Sequence, residues 1–115
     1  MAYFNWRDVL PSDLLGKSLD SRYLTMISEF LLEWPNKARL LGLTEGEIEN
    51  IREDNPTNAL RKSAVLRRWS RKYGEEATLE ALLETADRNR WGDFIQDVCE
   101  LLGFEVEKEE GKQTS

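Results

Sequence analysis

Apolar residues recur along this chain at intervals of three and four, the spacing that places them on one face of a helix. Leu24, Ile27, Phe30 and Leu31 form the first such stripe. Trp34-Pro35 then marks a boundary, because proline suits the first turn of a helix and disfavours helical geometry in the residue before it. Ala38 and Leu41 face inward from a short second helix that Gly42 ends. Thr44 and Glu47 have the spacing of a capping box opening a third helix, whose inward residues are Ile48 and Ile51 and which stops before Asn55-Pro56. A fourth helix starts near Asn58 and carries Val65, Leu66, Trp69 and Tyr73 on one stripe up to Gly74. Thr78 is placed to cap a fifth, with Leu79, Leu82, Leu83 and Ala86 inward, and Asp87–Asn89 reads as the following turn. Phe94, Ile95, Val98, Leu101 and Leu102 line a sixth helix that ends at Gly103. Strand-like alternation is missing. The pattern predicts an all-α fold, a largely antiparallel bundle of six short helices joined by short loops.

The expected core comprises Trp34, Leu41, Ile48, Ile51, Leu66, Trp69, Leu82, Ile95 and Val98. Residues 1–21 precede the bundle and hold Tyr3, Phe4, Trp6, Val9, Leu10, Leu14, Leu15 and Leu19, too apolar for a solvated tail. They are expected to form a partly helical N-terminal arm packed on the bundle at 22–103; a detachable peptide that docks on a partner is the alternative. Everything after Phe104, EVEKEEGKQTS, is charged and small, and residues 104–115 are expected to form a disordered acidic tail. Trp91, between Arg90 and Gly92, marks a helix start near the surface, either as an interface anchor or covered by the arm. Cys99 lies beside an apolar stripe and is expected to be a buried, inert thiol.

Composition narrows the chemistry. A chain of 115 residues, 40% hydrophobic and 33% charged, fits one globular domain. It contains no histidine, which removes the commonest general base and transition-metal ligand. Glycine-rich phosphate loops, calcium loops and nucleophile elbows are absent from the sequence as well. No enzymatic activity, cofactor, metal site or catalytic residue is expected. No apolar run approaches the ~20 residues needed to span a bilayer, and Arg7, Asp8 and Asp13 interrupt any secretory leader at the N-terminus. One cysteine cannot form an internal disulfide, so a reducing, cytoplasmic setting is expected.

Charge is segregated. Residues 45–54 carry Glu45, Glu47, Glu49, Glu53 and Asp54 against Arg52 alone. Residues 61–72 carry Arg61, Lys62, Arg67, Arg68, Arg71 and Lys72 with no acid. Such runs are commonly solvated faces with weak local ion pairs. The other reading is an interface: Arg67, Arg68, Arg71 and Lys72 as a basic patch, with Glu49, Glu53 and Asp54 as an acidic patch on a separate face. Complementary patches of this kind let one molecule dock head to tail on another.

Several stretches, taken in order, resemble the death domain, a six-helix interaction module. They are Trp34-x3-Ala38-Arg39-x-Leu41-Gly42-Leu43, then Thr44-x3-Ile48-x2-Ile51 followed by Asn55-Pro56. Leu66-x2-Trp69-x4-Gly74-x2-Ala77-Thr78-x3-Leu82 and Asp93-Phe94-Ile95 complete the set. Within it, Ile48–Trp69 is most similar to the ankyrin and neurotrophin-receptor type. Lys37 departs from the pattern, standing where the family usually has an apolar residue, and the aromatic arm has no general counterpart. The resemblance implies a non-enzymatic adaptor or a receptor or scaffold tail that binds another death domain, its own kind or a relative, in apoptotic or innate-immune and inflammatory signalling. It also implies asymmetric contacts that build higher-order oligomers. The competing reading is a helical nucleic-acid binder using the basic fourth helix, which the net charge of −6 opposes.

Overall fold

Capping residues set where the helices begin and end. The computed structural model describes residues 5–104, so Tyr3, Phe4 and the tail from residue 105, with the disorder expected of it, lie outside the described residues. Eight α-helices follow one another there: α1 (Trp6–Val9), α2 (Ser12–Leu15), α3 (Ser21–Ser28), α4 (Trp34–Leu40), α5 (Glu45–Asp54), α6 (Asn58–Tyr73), α7 (Leu79–Arg88) and α8 (Gly92–Leu101). A 3-10 turn, Gly74–Glu76, joins α6 to α7. The fold is all-helical, and α3–α8 are the six helices of the pattern. Side chains of Asp20, Thr44, Thr57 and Thr78 each accept a backbone N–H from the first turn of the helix that follows, at 3.1–3.2 Å. Each bond satisfies a donor that a helix start otherwise leaves without a partner.

Three helices stop alike. At Gly42, Gly103 and Arg90 the backbone turns left-handed, with φ of 103°, 94° and 61°. The next N–H then reaches back to close the helix: Leu43 to Ala38 O, Phe104 to Cys99 O and Trp91 to Ala86 O, at 3.0, 2.9 and 2.8 Å. Arginine at the third of these sites explains a correction. Without a glycine to mark it, the turn was expected at Asp87–Asn89, yet Asp87 and Arg88 are helical and the chain reverses at Arg90. Likewise the break expected at Trp34-Pro35 falls one residue earlier, at left-handed Glu33, and Trp34 begins α4.

The longest helix, α6, sits at the centre, packed against α3, α4 and α5, while α7 packs on α8. Val65 and Leu66 are fully buried and Trp69 is 4% exposed. Trp34, Leu41, Ile48, Ile51, Leu82, Ile95 and Val98 are buried in the same cluster. Two buried serines lie where α3 meets α6: Ser28 Oγ donates to Thr25 O at 2.6 Å, and the Thr25 and Ser63 hydroxyls meet at 3.5 Å. Tyr73 departs from its expected place on the α6 stripe. It is 37% exposed, and its phenol covers Gly42 so closely that a Cβ there would stand 2.1 Å from the Tyr73 hydroxyl oxygen.

The N-terminal segment packs on α7. Trp6 is 1% exposed, and Leu10 and Leu15 are buried beside it in the common core. Trp6 Nε1 donates to Asp87 at 3.2 Å, and Arg7 pairs with both Glu80 and Glu84. Leu79 N–H donates to Lys17 O at 3.2 Å, tying the segment to the start of α7.

Trp69→Ala is expected to cost about 3–5 kcal/mol, and thermal denaturation should show the domain largely unfolded. Trp6→Ala, or removal of residues 1–20, is expected to cost about 3 kcal/mol or more and to lower solubility by uncovering α7. An unchanged melting curve for the truncated protein would mean that the segment adds nothing to the core.

Candidate interaction surface on α5 and α6

The six cations between residues 61 and 72 divide by what surrounds them. Arg61 is structural: its guanidinium donates to the carbonyls of Asn55 at 2.7 Å and Arg52 at 3.0 Å, where the last turn of α5 leaves acceptors open. Lys72 is structural too. Its ammonium donates to Gly42 O at 2.8 Å and to Glu47 at 2.9 Å, tying the end of α6 to the α4–α5 turn. Lys72 therefore cannot join the expected basic patch without giving up both contacts.

Of the other four, half-buried Lys62 lies outside the cleft between α5 and α6, and Arg67, Arg68 and Arg71 are left. Residues at i, i+1 and i+4 project from adjoining parts of one helix face, and here all three line that cleft, of about 310 Å³. Arg67 and Arg68 are half-buried and Arg71 is exposed. Arg67 is held by a hydrogen bond to Ser63 one turn back. Among the described residues none of the three forms an ion pair, whereas Arg7, Arg39 and Arg52 all have carboxylate partners.

The acids fall differently from the expectation. Asp54 does not stand with Glu49 and Glu53 on a separate face; it lines the arginine cleft, beside Asn55 and Ile51. Its place at the very end of α5, where the helix approaches α6, accounts for this. Glu49 pairs weakly with Arg52 at 3.4 Å on its own helix, and Glu53 is exposed. Glu47, which the charge pattern did not single out, accepts both the Thr44 N–H at 2.8 Å and the Lys72 ammonium. These two contacts, the backbone one foremost, hold its carboxyl below the usual carboxylate range despite partial burial.

Elsewhere, Trp91 is partly buried, edge-on to Phe94 at 5.7 Å. Lys37 lies over this ring, 5.3 Å from the centroid, while donating to Leu32 O at 2.7 Å. The Lys37 ammonium thus satisfies a carbonyl and faces an aromatic ring, both of which suit a cation at this half-buried position. Burial and the neighbouring Glu100 push the Cys99 thiol up to about 11, so it stays protonated at neutral pH. No group of side chains suited to a metal ion occurs among the described residues, and no helix of the described chain is long and apolar enough to cross a membrane.

A family model described as "Death domain" matches residues 21–98. Human (Homo sapiens) Ankyrin-1 is 32% identical over 91 residues, which is 75% of this chain and 5% of that protein. The chain thus spans only a small part of the relative it matches.

Because Glu47 is more acidic folded than unfolded, its bonds stabilise the domain above the unfolded carboxylate value of about 4.3. That contribution is lost as pH falls through the lower folded value. Glu47→Gln is expected to cost about 1 kcal/mol at pH 7. Urea titrations across pH 2–7 should show the gap between the two proteins closing at the acid end.

Proposed function

The chain belongs to the death-domain family, and we propose on that premise that it acts as a homotypic protein-interaction module. In this reading α6 presents Arg67, Arg68 and Arg71 to carboxylates of another death domain, a second copy or a relative. The setting is an adaptor, or a receptor or scaffold tail, in cytoplasmic apoptotic or innate-immune signalling, and the chemistry is binding alone. One observation carries the proposal: three arginines share a cleft in an acid-rich chain without an ion pair among the described residues. Guanidinium groups recognise carboxylates bidentately, so the cleft is prepared for an acidic partner. The nucleic-acid reading is weaker. Arg61 and Lys72 already bind groups of their own domain, which shortens the row of cations available to phosphates.

For self-association, Glu49 and Glu53 of a second copy are the proposed acids, since Glu53 is exposed and Glu49 is only weakly paired. Arg67→Glu with Arg71→Glu is expected to abolish association while circular dichroism still reports a helical fold. Glu49→Lys with Glu53→Lys should fail alone as well. Mixing the two variants should restore only small complexes, because each keeps one native patch and the contact cannot propagate. Light scattering reads all three cases, and wild-type association should weaken with salt as screening shortens electrostatic reach to about 8 Å at physiological strength. Full-size assembly by the arginine-reversed protein would remove α6 from the interface.

A further inference from the structure

The α5–α6 cleft has a charge balance of its own. Three guanidinium groups and one carboxylate, that of Asp54, line it, leaving two positive charges in excess. Its walls are held before any ligand arrives. Ser63 fixes Arg67. Arg61 clamps the carbonyls of Arg52 and Asn55 that flank Asp54, and the Asn55 side chain donates to Ile51 O at 2.9 Å. Ordering these groups in advance lowers the entropic cost of binding. A single carboxylate would leave one of the excess charges unmatched. A phosphate monoester, carrying about −1.5 to −2 at neutral pH and three acceptor oxygens, can take hydrogen bonds from all three arginines at once.

We propose that this cleft is a binding site for a phosphate dianion, carried as a monoester on a modified side chain or present as the free ion. The site rests on the cleft geometry alone and goes beyond the homotypic reading. Arg68 and Arg71 supply charge from guanidinium groups that have no ion pair among the described residues, and Arg67 supplies a pre-set donor. Asp54 repels the dianion and holds its affinity down.

The test is to follow the arginine side-chain N–H signals by NMR while the full chain is titrated at fixed ionic strength with inorganic phosphate, O-phosphoserine or acetate. Light scattering fixes a concentration at which the protein is a single copy. Phosphate or phosphoserine should shift the Arg67, Arg68 and Arg71 signals saturably, with acetate at least about tenfold weaker. Tighter binding of phosphoserine supports a modified side chain as the source; equal binding supports the free anion. Arg68→Gln and Arg71→Gln should each weaken binding about tenfold, and Asp54→Asn should tighten it with helicity unchanged. Unsaturable shifts, an equal response to acetate, or binding indifferent to all three substitutions would overturn the proposal. Phosphate binding without self-association keeps this site and removes the self-association reading. Self-association without phosphate binding removes only this site.

Discussion

Burying Val65, Leu66 and Trp69 from one stripe of α6 takes three large apolar side chains out of water together. The helix is 16 residues long and carries six cations, which are left with the remaining faces. Helices α3, α4 and α5 supply the apolar surface that covers the stripe, so their positions follow from it. Removing one of those side chains would therefore loosen several helices at once, since a close-packed core relaxes only partly around a void.

The same constraint sorts the cations. Near the end of α5, Arg61 meets unpaired carbonyls and becomes part of the scaffold. Beside the α4–α5 turn, Lys72 finds both a carbonyl and a carboxylate, and Tyr73 next to it covers Gly42. Between these two anchors the helix passes a cleft where Arg67, Arg68 and Arg71 stay uncommitted to any acid of the described chain. Rigid supports on either side of an available patch favour recognition, because little order has to be gained on binding.

Most of the helical layout was legible in the sequence because its determinants are local. A capping threonine and its partner lie three residues apart, and an apolar stripe repeats within a few turns. Glycines marked three of the four helix ends with positive φ, at Gly42, Gly74 and Gly103, and the fourth, at Arg90, was misplaced for want of one. The surface was less legible. Arg61 reaches a carbonyl nine positions back, Lys72 one 30 back, and Trp6 a carboxylate 81 residues on. No periodicity encodes such meetings. Spacing does place Arg67, Arg68 and Arg71 together, but that Asp54 shares their cleft depends on how α5 approaches α6.

The family pattern begins at residue 21, while Trp6, Leu10 and Leu15 are buried in the same core as the helices that follow. The stretch outside the shared pattern is thus bound to the inside of this molecule. For gene rearrangement this moves the natural cut. A recombination event at residue 21 would transplant α7 without its cover, and one that carried residues 5–20 along would keep the core whole.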